Sequence, residues 1–313
     1  MRTVPAAAVL SIAVLTLTAC ADDVPEQEEL PHDAGMQETG LTVLSSIDVY
    51  ADLIDQVAGG SVDSQAVVDS VAVDPHSYEA APQDRLAVEN ADVIVANSGG
   101  YDSFITLLAS SAEKEDAVYQ LIDDESEHSH DHSHEHDGEH FNEHIWYDLE
   151  RMEEFVLDVA EHLGEAAPEN AEAYAENAEA LAGEIGELHE RNQALDAEGR
   201  SYLATEAVSG RLLDDAGFEN RTPEEFLAAV EHGEDVSPRL YQDALELTEE
   251  ISLLSYNPQT ETQQSTRIRS TAEESGAVTR EFTETLPEDA ASFQEWMSAN
   301  IDTIEEALAE MDD

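Results

Sequence analysis

The sequence predicts an α/β protein of two lobes, each a mostly parallel sheet flanked by helices, joined by one long backbone helix. Three observations carry this expectation: short apolar runs alternate with helical stretches, one long helical run interrupts that rhythm near the middle, and the rhythm then begins again. In the first half, Leu41–Ser46, Ala66–Val73 and Ala91–Asn97 read as buried strands, while Val49–Val57 and Pro82–Glu89 carry helical spacing. Trp146–Leu163 is again helical. Pro168 then opens the long run through Tyr174, Leu181, Ile185 and Leu188 to Leu195, a place at a first turn that suits proline. In the second half, Tyr202–Thr205, Ile251–Tyr256 and Ala277–Phe282 read as strands. Helices are expected at Val208–Ala216, Glu224–Glu231, Thr262–Ser275 and Asp289–Met311. The resulting division is an N-terminal lobe at 40–167, a linking helix at 168–195 and a C-terminal lobe at 196–313. Ligands of open α/β sheets sit beyond the carboxyl ends of strands, so the crevice between the lobes is the expected site.

Charge sets the next boundary. The 313 residues carry 12 Lys and Arg against 73 Asp and Glu, a net −61. Too few cations remain to neutralise a phosphate backbone, which excludes nucleic acid as a partner. The chain is 41% apolar, so a full core is within reach and wholesale disorder is not expected. The acids are spread along the chain instead of forming one tail. We read this as the signature of a halophilic protein, whose self-repulsion is screened in molar salt, where the Debye length is about 3 Å.

The N-terminus reads as an export signal. Arg2 supplies a positive start, and Ala6–Leu17 is an apolar stretch of 12 residues, short of the ~20 needed to span a bilayer. Leu17-Thr18-Ala19-Cys20 resembles a bacterial lipobox, which makes 1–19 a signal peptide and Cys20 the lipidated first residue of the mature chain. Residues 20–39, rich in Asp, Glu, Pro and Gly, are expected as a flexible tether. The protein is thus expected outside the cytoplasm, held to the outer face of the cell membrane by a lipid and not by a spanning helix.

The chemistry concentrates in histidines and acids. His128, His130, His132, His134, His136 and His140 alternate with Ser, Asp and Glu in the segment 125–140. Imidazole and carboxylate are good ligands for divalent metals, although redundant ligands on a low-complexity segment fix no single geometry. Better-ordered ligands stand at strand ends: DPHSYE at 74–79, EHIW at 143–146 and Thr205-Glu206. Singly, each is weak, since a histidine beside a proline is ordinarily a structural loop residue.

Together, DPHSYE, EHIW, the ENADVIVANSGGYDSF stretch at 89–104 and the acidic His-rich segment resemble the metal-binding lipoproteins of zinc/manganese ABC importers. The resemblance runs from about residue 40 to 310 and implies a metal site in the cleft between the lobes. It assigns His76 and His144 as two ligands, Glu206 as the third and Glu284, in Phe282-Thr283-Glu284-Thr285, as the fourth. Glu284 stands where an Asp is usual, and Tyr256–Glu261 departs from the commoner pattern of its strand, marking a divergent acidic subgroup. The implied function is capture of a divalent transition metal and delivery to an ABC importer permease by a monomeric lipoprotein. Two imidazoles and two carboxylates suit Zn²⁺ or Mn²⁺, and the usual affinity order favours Zn²⁺. A manganese-specific component, or a storage or adhesin lipoprotein using the His-rich segment alone, are the alternatives.

No enzyme signature competes with this reading. The chain holds no HExxH helix and no GxSxG elbow, and Ser98-Gly99-Gly100 lacks the further Gly and Lys of a phosphate cradle. The charge reading makes a prediction of its own: the melting temperature should be higher in molar salt than in dilute buffer. Equal melting temperatures in the two solvents would contradict it.

Overall fold

The structure is a computed structural model describing residues 36–122 and 142–312. In the N-terminal lobe, β1 (Thr42–Ile47), α1 (Asp48–Ala58), β2 (Asp63–Val68), α2 (Pro82–Asn90), β3 (Val93–Ala96), α3 (Ser103–Ser111) and β4 (Val118–Gln120) alternate. The strands lie in the order β2-β1-β3-β4, and every neighbouring pair is parallel. After a 3₁₀ turn at Ile145–Tyr147 come α4 (Leu149–Ala166) and α5 (Ala171–Gln193). The C-terminal lobe follows as β5 (Ser201–Ala204), α6 (Gly210–Asp215), β6 (Glu219–Asn220), α7 (Glu224–Glu231), α8 (Pro238–Leu247), β7 (Leu253–Tyr256), α9 (Gln263–Ser275), β8 (Val278–Glu281) and α10 (Phe293–Asp312). Its parallel order β6-β5-β7-β8 repeats that of the first sheet.

Local chemistry explains the element ends. Parallel strands covered on both faces lose their polar alternation, and β7 (LLSY) is buried at every position. Helix α1 stops at Gly59, whose φ of 55° is left-handed and whose N–H returns to the Asp55 carbonyl. Asp148 caps α4 by accepting from the Arg151 N–H, and Thr262 caps α9 by accepting from that of Ser265. The 23 residues of α5 reach about 35 Å at 1.5 Å per residue.

The last helix returns to the first lobe. The Phe293 and Leu286 N–H groups donate to the carboxylates of Asp52 and Asp48, at 2.8 and 3.2 Å. Gln294 donates to Gln56 on α1 and to Glu184 on α5. One apolar core is continuous across the lobes, from Tyr50, Trp146 and Phe155 to Tyr202 and Trp296. These ties hold the strand ends of both sheets at fixed positions around the cleft.

Several elements differ from the sequence expectation. The second strand is Asp63–Val68, not Ala66–Val73, because pairing with β1 begins at Asp63 opposite Thr42. The later valines belong to a turn closed by the Val73 N–H on the Ser70 carbonyl. Helices α3 and α8 and the short strands β4 and β6 are additional. SFITLLASS is a short apolar run of nine residues, and the edge strands have three and two. Gln37 and Thr39, within the expected tether, are held by hydrogen bonds to Asn170 and Ser61. Cys20 and the histidines at 128–140 lie outside the described residues.

Candidate metal centre

The expected ligands arrive from both lobes. His76 follows β2 in a turn where Asp74 Oδ1 accepts the His76 N–H at 2.9 Å. His144 immediately precedes the 3₁₀ turn. Glu206 and Glu284 stand just beyond the carboxyl ends of β5 and β8. One ligand atom from each of these four side chains lies within 4.8 Å of all the others. His76 Nε2 and His144 Nε2 are 3.3 Å apart, and His76 Nε2 lies 3.9 Å from Glu206 Oε1 and 3.8 Å from Glu284 Oε2. Two nitrogens bound at ~2.0–2.1 Å to a tetrahedral zinc stand roughly 3.3–3.4 Å apart, so the imidazole pair has the spacing of a shared ion.

The His144 tautomer follows from its neighbours. Asn142 Nδ2 donates to the Ala207 carbonyl at 2.9 Å, which directs Asn142 Oδ1 toward His144. That oxygen accepts from the His144 backbone N–H at 2.9 Å and faces Nδ1 at 3.0 Å. Nδ1 therefore carries the proton, and Nε2 turns its lone pair into the cleft, the state required of a metal ligand. Asn142 also spans the lobes, since Ala207 belongs to the loop after β5.

The acids are held by donors and remain costly to ionise. Asn257 Nδ2 donates to Glu206 Oε2 at 2.5 Å and to Glu284 Oε1 at 2.7 Å, keeping the two carboxylates side by side. Thr260 donates to Glu206 and Tyr101 to Glu284. The ion-pair partners of both acids among the described residues are imidazoles. Burial pushes the Glu206 carboxyl up to about 7 and Glu284 well above its ordinary value. Burial also pushes His76 down to about 4, so its ring is neutral near pH 7. Neutral imidazoles and carboxylates that resist ionisation form a site that a dication would complete.

Sequence reasoning missed Asn142, Asn257 and Glu231. Asn257 follows a buried strand, as Glu206 does, but an amide raises no ligand signal. Glu231, the last residue of α7, brings its Oε2 within 3.6 Å of His76 Nε2. An open cavity of about 540 Å³ leads to the site, lined among others by Asp74, His76, Glu206, Glu231, His232 and Thr260.

Comparison with known proteins bears on family and fold. Residues 43–307 match the family described as zinc-uptake complex component A, periplasmic. The chain is 26% identical over 166 residues to a metal ABC transporter substrate-binding lipoprotein of Streptococcus sanguinis, covering 51% of this chain and 50% of that one. It is 22% identical to the manganese-binding lipoprotein of Halalkalibacterium halodurans, over 60% of this chain and 62% of that one. The chain thus spans about half to three-fifths of the length of these relatives. Its fold is that of the periplasmic zinc-binding protein of Treponema pallidum, with a TM-score of 0.71 at 21% identity over 86% of this chain and 99% of the other. The chain belongs to the zinc-uptake complex component A family, whose members are transport components and not enzymes.

The buried acids predict how metal and pH combine. A carboxyl whose folded pKa is raised contributes stability below its unfolded value, near 4.5, and that contribution is lost as pH rises through about 7 for Glu206. The metal-free protein therefore loses stability from this source between pH 4.5 and 7, and a bound dication restores it. The zinc-induced rise in Tm is expected to be larger at pH 8 than at pH 5.5, because fewer protons must be displaced. Equal rises by scanning calorimetry at constant salt would contradict this.

Proposed function

We propose that this member of the family captures a divalent transition metal ion outside the cytoplasm and delivers it to the membrane permease of an ABC importer. The observation that carries the reading is the convergence of His76 and His144, 3.3 Å apart, on the buried carboxylates Glu206 and Glu284. These four side chains are the ligands. The first lobe supplies the imidazoles and the second the carboxylates, so an ion bound by all four closes the cleft between them. The segment holding His128, His130, His132, His134, His136 and His140 collects metal without fixing its geometry. Cys20 carries the lipid that tethers the mature chain to the membrane surface. Among the described residues no helix is long and apolar enough to cross a bilayer.

Zinc is the ion we assign. A set of two nitrogens and two oxygens binds Zn²⁺ more tightly than Mn²⁺ by the usual order of divalent affinities. Manganese is the second reading, favoured by the acid at position 206 and by the manganese-binding name of the Halalkalibacterium halodurans relative.

Competitive titration of Zn²⁺ against Mn²⁺ tests both readings. His144→Ala should weaken tight binding by orders of magnitude, because a lost ligand opens the coordination shell. Glu206→His should raise the zinc-to-manganese affinity ratio, because imidazole is the softer ligand. Wild-type affinity in His144→Ala would overturn the site. An unchanged ratio in Glu206→His would remove Glu206 from it.

A further inference from the structure

Glu231 is a buried acid that the four-ligand set leaves unused. Its Oε1 accepts the Ala207 N–H at 3.2 Å, which fixes the carboxylate beside the loop that carries Glu206. Its Oε2 is buried and accepts no hydrogen bond among the described residues, and it points at His76 Nε2 from 3.6 Å. The residue is 7% exposed, so leaving a charged oxygen there without a partner is costly. On the other side of the same ring, Glu143 Oε2 lies 3.9 Å from His76 Nδ1. Gly100, at φ 110°, makes room for Glu143, since a Cβ there would come within 2.5 Å of Glu143 Oε1. His76, Glu143 and Glu231 bring one ligand atom each within 4.8 Å of one another, as a second set that shares His76 with the first.

The two sets differ in access at Glu143 against His144 and Glu284, while Glu206 lines the same cavity as His76 and Glu231. The Glu143 and His76 side chains are 15% and 11% exposed, and His76 and Glu231 line the open cavity. His144 and Glu284 are fully buried. We propose that His76, Glu143 and Glu231 form an outer receiving position for the divalent ion, from which it passes to His76, His144, Glu206 and Glu284. This rests on the metal-binding reading above and adds the route by which the inner site fills.

Three protein ligands leave room for water on the ion, so arrival strips only part of its hydration shell. In the transfer the ion keeps His76, breaks its bonds to Glu143 and Glu231, and forms bonds to His144, Glu206 and Glu284 as its waters leave. The ion is never returned to full hydration, and the dehydration cost is divided between two steps. At the cavity, Glu231 Oε2 offers the arriving ion an oxygen that no hydrogen bond among the described residues satisfies. The positions cannot both be filled through one His76 nitrogen, so the outer one empties as the inner one fills.

Stopped-flow mixing of the full mature chain with Zn²⁺, followed by tryptophan fluorescence, tests the proposal. The Trp146 ring is 5.2 Å from that of His144 and reports on the inner site. In the wild type the observed rate should rise with zinc and then saturate, because transfer follows a rapid pre-equilibrium. In Glu231→Gln, loading at low zinc should slow by about tenfold and lose its saturation, as a carboxylate oxygen that first binds the ion is removed. Affinity measured by chelator competition should fall much less in Glu231→Gln than in His144→Ala, because the four inner ligands remain. Glu143→Gln should behave in the same way. Wild-type loading kinetics in both variants would overturn the proposal. A loss of tight affinity by orders of magnitude in Glu231→Gln would also overturn it, by placing Glu231 in the inner set. Failure of the underlying reading is seen separately, as wild-type affinity in His144→Ala, and would remove the inner site and the transfer together.

Discussion

The burial of carboxylates governs this molecule's cleft. Glu206, Glu231 and Glu284 are 3%, 7% and 0% exposed, and burial raises the pKa of each, with the charge on Glu206 raising the other two further. Desolvation alone makes each ionised form expensive, and proximity adds to the cost. Hydrogen bonds from Asn257, Thr260 and Tyr101 offset part of it. Without metal, protons supply the rest. A dication satisfies the same oxygens more completely, because it neutralises two charges at once and takes the imidazole lone pairs as well. The exchange of protons for metal follows from burial alone, whatever the identity of the ion.

The fold makes such an arrangement possible. Both sheets are parallel and share one strand order, so each presents its carboxyl ends at one edge. His76 follows β2, Glu206 follows β5, Asn257 follows β7 and Glu284 follows β8. Loops can carry these polar groups into the interior because the strands behind them are apolar and fixed. The two lobes are joined at the site itself by Asn142, which links His144 to the Ala207 carbonyl, and by Arg211, which donates to the Asn142 carbonyl at 2.6 Å. Away from the site, α5 and the return of α10 onto α1 tie them again. The ligand separations are therefore set by the frame more than by the side chains.

Much of this was legible in the sequence, for reasons that also explain the omissions. Alternation of apolar runs with helical stretches exposed both sheets, since a parallel strand covered on two faces can be read from composition. The register of β2 was not legible: Val71 and Val73 extend an apolar run beyond the point where pairing with β1 ends at Val68. Helix α8 lies outside the sequence expectation although Ser237 and Pro238 form an N-terminal signal, with Ser237 accepting from the Leu240 N–H. His76 and His144 are legible because each sits in a motif, DPHSYE and EHIW, that together resemble those of metal-binding lipoproteins. Glu231 could not stand out among 73 acids, since nothing local distinguishes a buried acid at a helix end from a solvated one. Its distinction is tertiary, as is that of Asn257.

The central claim is that four side chains from two lobes hold one ion. Anomalous diffraction from crystals of the mature protein grown with zinc and manganese, recorded on both sides of each absorption edge, addresses it most directly. The account predicts a single strong peak in the cleft, bonded to His76 Nε2, His144 Nε2, Glu206 and Glu284, with the zinc signal dominant. A cleft without a peak, with metal only on the histidines of the 128–140 segment, would contradict it.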